Sequence, residues 1–265
     1  MARAFIVIVG SGNIGVDLAE RLTAHCEVSL LSARRLLSMK DAELAAAIRP
    51  ASIVVFAQGA NVNTRSFERD YDMLVGSRID PLVRVASCLE NPLLRCVLIS
   101  STVAFLGNKN PRTLAALQIV YEDEFRRLFG KQPMLILRFG TVCTGHSGAI
   151  ARVASLRRTL LVKRLRIAGG TSIPYVDHPE MQSVATLLAN QFAFDGRSLV
   201  VAAKHGLNLN ALLQRHVPVT WRIPVPLNVY RWIFERLGIR GEFFSVTQEM
   251  LAALHAQHLL AEVPS

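Results

Sequence analysis

FIVIVGSGNIGVDLAERL, residues 5 to 22, decides the fold. Five apolar, mostly β-branched residues run straight into Gly10-Ser11-Gly12-Asn13-Ile14-Gly15, and a helix-forming segment follows. A Gly-x-Gly-x-x-Gly element says little alone, but between a strand and a helix at the start of an alternating chain it specifies a dinucleotide-binding turn. Gly10 permits the tight turn, Gly12 lets backbone approach a pyrophosphate with no Cβ in the way, and Gly15 lets the helix pack close to the strand. Asn13 and Ile14 open that helix, whose free N–H groups and partial positive charge favour phosphate.

Outward from this stretch, short apolar runs recur at 27 to 31, 52 to 57, 96 to 100, 134 to 138 and 198 to 203. Helical patterns at 13 to 24, 40 to 48, 71 to 90, 113 to 129, 179 to 191 and 208 to 215 separate or follow them. That alternation specifies an α/β, Rossmann-type doubly wound parallel sheet. Pro81 predicts that the helix over 71 to 90 restarts or kinks. From about 146 the pattern loosens, and after 205 the chain reads as mainly helical, with a Pro-rich join, VPVTWRIPVP, before the amphipathic LNVYRWIFERLG. The expected division is a dinucleotide-binding domain over 1 to 145, to which 172 to 205 return, and a small, mostly helical substrate cap from 146 to 171 and 206 to 265.

The chain has 265 residues, of which 51% are apolar, enough for a sizeable core. No apolar run reaches the roughly 18 residues of a spanning helix, and MARAFIVIVG is too short for a secretory signal, so a cytoplasmic protein without a transmembrane segment is expected. Cys26, Cys88, Cys96 and Cys143 lack Cys-x-x-Cys spacing and read as buried thiols. His255 and His258 could share a helix face but have no further ligands at metal spacing, so no metal site is expected. The net charge of +10 could serve nucleic acid, an acidic membrane surface or an anionic ligand. No nucleic-acid motif accompanies it, which argues against nucleic acid. Its one concentration, RVASLRRTLLVKRLR at 152 to 166, is either a solvated helix face or a patch facing a diphosphate or membrane.

The residue that reads the adenosine ribose is expected about 20 positions beyond the glycines. The chain there reads Leu31-Ser32-Ala33-Arg34-Arg35, with no carboxylate to accept from a 2′-hydroxyl. Ser32, Arg34 and Arg35 could instead hold a 2′-phosphate, which favours NADP(H) over NAD(H).

The glycine loop, Phe56-Ala57-Gln58-Gly59-Ala60 after the third strand, ISSTVAFLG at 99 to 107, LRFGTVCTG at 137 to 145 and SIPYVDHPEM at 172 to 181 occur in an order that resembles the extended short-chain dehydrogenase/reductase superfamily. The branch most similar is the nucleotide-sugar epimerase/dehydratase group. The resemblance implies cofactor contacts at Ala57, Gln58, Gly59, Ser100, Phe139 and Thr141, and a hydroxyl at Thr102 that binds the reacting oxygen. It also implies a Tyr-x-x-x-Lys helix, and here the chain departs. Counting back from the acidic residues of YEDEF, the matching positions hold Leu114 and Gln118, or less well Ala116 and Val120. The four tyrosines, Tyr71, Tyr121, Tyr175 and Tyr230, have Val75, Phe125, Pro179 and Phe234 four residues on, so none has a lysine partner.

Two readings follow. One is an atypical enzyme acting on a nucleotide-linked sugar or related compound, with Arg157, Arg158 and Arg164 meeting the substrate diphosphate. The other is a catalytically inactive sensor or partner subunit that keeps the cofactor site. A membrane-peripheral assembly factor is a third, thinner reading. Homologous helices often pair members of the superfamily, so the resemblance also implies a homodimer through 71 to 90 and 113 to 129.

Overall fold

The computed structural model describes residues 3–58, 69–106, 112–144, 165–168, 172–190, 194–202, 207–208, 223–226, 229 and 232. Strands β1 (Phe5–Val9), β2 (Glu27–Leu31), β3 (Ile53–Phe56), β4 (Arg95–Ser101) and β5 (Met134–Phe139) alternate with helices α1 (Asn13–Leu22), α2 (Ala33–Ser38), α3 (Asp41–Ile48), α4 (Tyr71–Ala86) and α5 (Leu114–Phe129). The chain continues through β6 (Thr141–Val142), β7 (Leu165–Ala168), β8 (Ser172–Ile173), β9 (Tyr175–Val176), α6 (His178–Ala189), β10 (Ser198–Val201), β11 (Leu207–Asn208) and β12 (Ile223–Pro226).

Six strands form one sheet in the order β2-β1-β3-β4-β5-β10, and every pairing within it is parallel. Parallel strands with helices on both faces must be apolar on both sides, which is why β1 and β3 read as unbroken apolar runs. One face packs Ile6, Ile8, Val55, Val97 and Leu137 against Leu18 and Leu22 of α1 and Met181, Val184 and Leu188 of α6. The other packs Val7, Val9, Phe56, Leu98 and Ile136 against α2 to α5, with Phe56, Phe125 and Phe129 in mutual ring contact. Residues 32 to 52 form two short helices and no strand, so β2 is the sheet edge and the order of connection reverses between β1 and β3. Ligands of open α/β sheets lie at such a switch point.

The helix expected to break at Pro81 runs through it. The missing N–H would have met the carbonyl of Ser77, so the irregularity falls on one residue of the helix wall. Asp177 and Glu180 form a capping box at the start of α6, the turn-capping role suited to SIPYVDHPEM. After 205 the described residues include β11 and β12, paired with β8 and β7, where the sequence pattern predicts mainly helix. Strand β12 lies in the Pro-rich join, whose N–H groups are too few for a helix. The helix expected over 208 to 215 lies outside the described residues, as do His255 and His258. All four cysteines are free thiols, with Cys26 and Cys96 buried. No helix among the described residues is long and apolar enough to cross a membrane.

A Cβ built on Gly15 would stand 1.8 Å from the carbonyl oxygen of Gly10. Gly15→Ala is therefore expected to destabilise the protein by about 1–3 kcal/mol, the usual cost of overpacking, measured by urea unfolding.

Candidate functional site: the cleft above the glycine turn

Gly10 has φ +122°, and a Cβ there would meet the backbone of Ala57 and Gln58 at 2.6 Å, so only glycine fits. Its N–H donates to Leu31 O at 2.7 Å, tying the turn to the end of β2. Gly12 faces the opposite situation: nothing lies within 4 Å of a Cβ placed on it. It precedes α1, whose N-terminus has no side-chain cap, leaving backbone N–H groups directed outward. Above it opens a cleft of about 460 Å³ lined by Gly10, Ser11, Gly12, Ser32, Ala33, Arg34, Gln58 and Ser77. An exposed backbone cradle at a helix N-terminus, with a cation at one end, is the donor set a dinucleotide pyrophosphate needs, so the residues fit that group.

The structure brings five of the expected residues, Gly10, Gly12, Ser32, Arg34 and Gln58, to one cleft. Asn13 is exposed at the first position of α1, Ile14 packs half-buried on the core, and Gly15 is sealed beneath. Ser32 caps α2, its Oγ accepting from Arg35 N at 3.2 Å, while Arg35 is exposed and outside the cleft lining. Ala57 packs against the core and donates its N–H to Val9 O at 2.8 Å. Phe139 is a core side chain. Thr141 is half-buried in β6, which pairs with β9; Gly140 beside it must be glycine because a Cβ would meet Pro174 at 2.8 Å. Gly59, Arg157, Arg158 and Arg164 lie outside the described residues.

Thr102 is buried at the start of a 3-10 turn, Thr102–Leu106, that follows β4. Ser100 is committed to the packing of α5 on the sheet: its Oγ donates to Glu122 Oε1 at 2.7 Å. The same carboxylate accepts from Arg138 Nε at 2.8 Å, Arg138 Nη2 at 2.6 Å and Arg126 Nη2 at 3.1 Å. Arg138 also lies over the Phe105 ring, 4.6 Å from its centroid, linking the 3-10 turn to the network.

That network fixes the register of α5. With Glu122 facing β4 and β5, Gln118 lies one turn earlier on the buried side and Leu114 packs partly buried against Tyr71, Leu74 and Leu117. Of the alternative pair, Ala116 is buried and Val120 is exposed. Tyr121 is fully buried, with burial pushing its phenol well above the ordinary value despite the nearby Arg78 charge. Arg112 reaches Asp72 on α4 at 3.8 Å. Sequence reasoning missed Ser11, Ala33 and Ser77 in the cleft and Arg78 beside it. The signal for Arg78 was present, since Tyr71, Leu74, Arg78, Leu82 and Val85 form the buried stripe of α4 and one member is charged.

No protein-family model and no curated protein sequence matches the chain. Solved structures do. UDP-glucuronic acid 4-epimerase from Bacillus cereus, in complex with UDP-glucuronic acid and NAD, superposes with a TM-score of 0.63 at 13% identity, covering 84% of this chain and 86% of that one. The fold is that of nucleotide-sugar epimerases. UDP-N-acetylglucosamine 4-epimerase from Methanobrevibacter ruminantium M1, in complex with UDP-N-acetylmuramic acid, gives 0.61 at 14% identity over 85% and 86%. dTDP-4-dehydrorhamnose reductase from Bacillus anthracis, in complex with NADP, gives 0.65 at 12% identity over 91% and 88%. The epimerase-like fold expected from the sequence is thus present, and the similarity extends beyond the glycine turn to most of the chain.

Burial by itself would raise the Glu122 carboxyl, but hydrogen bonds from Arg138 and Ser100 and the charges of Arg138 and Arg126 outweigh it and hold the pKa below the ordinary value. A depressed folded-state pKa contributes stability in full above the unfolded value, about 4.3, and loses it as pH falls through the folded one. Glu122→Gln is expected to cost about 3–5 kcal/mol at neutral pH, as breaking a buried ion pair does. In urea unfolding at a series of pH values, the gap between wild type and variant should shrink toward acid.

Proposed function

We propose that the chain binds NADP(H) across the β1/β3 switch point and acts as an oxidoreductase of the epimerase/dehydratase type on a nucleotide-linked sugar or a related carbonyl or hydroxyl compound. The observation that carries this reading is the open cleft above Gly12, floored by Gly10, where backbone contacts forbid a side chain, and flanked by Arg34. The N–H groups of α1 would hold the pyrophosphate, and Arg34, with Ser32 and Arg35 beside it, would hold the 2′-phosphate. A bound nicotinamide supplies or accepts the hydride. Thr102 would bind the reacting oxygen at the end of β4, and Arg157, Arg158 and Arg164 the substrate diphosphate. The protein is read as cytoplasmic, with residues 146 to 171 and 206 to 265 closing over a core built from 1 to 145 and 172 to 205. Exposed Met73 and Val83 on α4 and Val120 on α5 suit a homodimer through those helices.

One observation favours a second reading. Counted back from YEDEF, Leu114 and Gln118, or less well Ala116 and Val120, would stand where the resembled superfamily keeps its proton-transfer pair, and none of the four can titrate. A sensor or partner subunit would need the cofactor and no such pair. The two readings separate on turnover: loss of nicotinamide absorbance with an activated sugar supports the enzyme, and tight binding without turnover supports the sensor.

NADPH is expected to raise the melting temperature more than NADH in a thermal-shift titration, and the double change Arg34→Ala with Arg35→Ala should cut NADPH affinity about ten- to a hundredfold, the worth of charge-assisted hydrogen bonds. Stabilisation by NADH alone would defeat the assignment of these arginines. Gly12→Val should leave the melting temperature of the free protein unchanged, because its space is open, and abolish stabilisation by either cofactor.

A further inference from the structure

One turn beyond the start of α1 stands an ion pair. Asp17 Oδ1 accepts from Arg21 Nε at 3.2 Å, an i,i+4 pair of the kind found on many helix surfaces. The remaining polar atoms of the two side chains set it apart. Asp17 Oδ2 accepts from the Thr144 hydroxyl at 3.2 Å, Arg21 Nη2 donates to His178 Nδ1 at 2.8 Å, and Arg21 Nη1 donates to Gln182 Oε1 at 3.3 Å. Arginine has no acceptor atom, so Nδ1 is the accepting nitrogen of the His178 ring. These partners lie 127, 157 and 161 residues along the chain. The pair is also shielded, with side-chain exposures of 20% for Asp17 and 17% for Arg21, and Thr144 is buried. An exposed helix pair contributes little, and one whose donors and acceptors are shared with distant segments is a tie between them.

The partners belong to one block. Thr144 follows β6, and His178 and Gln182 lie in the first turns of α6, directly after β9. β6 pairs with β9: Thr141 N donates to Pro174 O and Cys143 N to Val176 O, both at 2.8 Å. The Asp177–Glu180 capping box fixes the first turn of α6 to the end of β9. Asp17 and Arg21 therefore hold β6, β9 and the start of α6 together against α1.

The placement of that block gives the tie its consequence. β4 and β5 run in register to their carboxyl ends, Ser101 opposite Phe139, so Thr102 and Gly140 leave the sheet side by side. β6 begins at the next residue. The cleft lies over the other strands, with Gly10, Gly12, Ser32 and Arg34 in its lining and neither Asp17 nor Arg21. A dinucleotide whose pyrophosphate rests on α1 extends along the carboxyl ends of the strands, which carries its second nucleotide toward Thr102 and β6. The distance from α1 to β6 then fixes the room that nucleotide has. An adenosine phosphate over Gly12, Ser32 and Arg34 does not reach so far.

We propose, on the dinucleotide reading given above, that Asp17 and Arg21 are positioning residues: acting through Thr144, His178 and Gln182, they hold β6 at a set distance from α1 and so shape the far end of the crevice for the second nucleotide.

Calorimetric titration of the full chain and of Thr144→Val, which removes the hydroxyl and keeps the branched stem, tests this. The probes are NADPH and adenosine 2′,5′-bisphosphate, which lacks the second nucleotide. Thr144→Val is expected to weaken NADPH about tenfold, the worth of one hydrogen bond to a charged group, and to change the bisphosphate by less than about twofold. Thr144→Ser should recover most of the loss, which a defect of packing alone would not allow. The retained bisphosphate binding reports an intact fold and an intact α1. Equal weakening of both probes overturns the assignment, because the effect then lies on α1 itself. Weakening of neither overturns it too, and leaves the ion pair as packing of α1 on α6. If wild type binds neither probe, the dinucleotide reading falls and takes the positioning role with it. Should Thr144→Val not fold, the exposed His178 provides the second measurement against the same outcomes: His178→Leu should reproduce the loss confined to NADPH, and His178→Asn, whose side-chain oxygen accepts in place of Nδ1, should recover it.

Discussion

The contact between Gly15 and the Gly10 carbonyl is the constraint on which the cleft depends. Helix α1 can begin where it does only because the two backbones touch without side chains between them. The same Gly10 lies against Ala57 and Gln58 on one side and bonds Leu31 on the other. One residue therefore sets the spacing of β2, β1 and β3 at their carboxyl ends. Gly12, two positions on, is left in open space by that arrangement, and the donors of α1 point where the three strands converge. The open volume is thus a by-product of tight packing below it.

At the other end of the sheet the tie is ionic. Glu122 holds α5 to β4 through Ser100 and to β5 through Arg138, and Arg126 carries the network to Ser198 of β10 at 3.3 Å. A buried carboxylate is unfavourable unless its lone pairs are used, and here four donors surround it. Their directions leave α5 one rotational setting. Leu114 and Gln118 consequently stand where they do by registry.

Most of this frame is legible in the sequence. The strands are short apolar runs, and periodicity reports them well because both faces of a parallel sheet are buried. The glycines of the turn are readable for the same reason that they are irreplaceable. Less of the site could be read. Ser100 looks like a cleft hydroxyl until its partner, 22 residues away, is known, and pairing across elements has no local pattern. Pro81 predicts a break that packing of α4 against α5 and the sheet overrides, since one lost hydrogen bond is small beside the burial of Leu74, Leu82 and Val85. The strands after 205 pair with segments some 35 to 60 residues away, which periodicity in a short window cannot register.

At Arg78, α4 departs from the packing pattern of the rest of its buried face. A charged residue on the buried stripe of an amphipathic helix opposes the hydrophobic pattern of its own helix, and among the described residues no carboxylate pairs with it. If α4 served packing alone, an aliphatic side chain at 78 would suit Leu74 and Leu82 better and remove the desolvation penalty. Gln58, just after β3, adds a second buried polar group there: its Nε2 donates to the Arg78 carbonyl at 3.0 Å while its Oε1 has no hydrogen-bond partner.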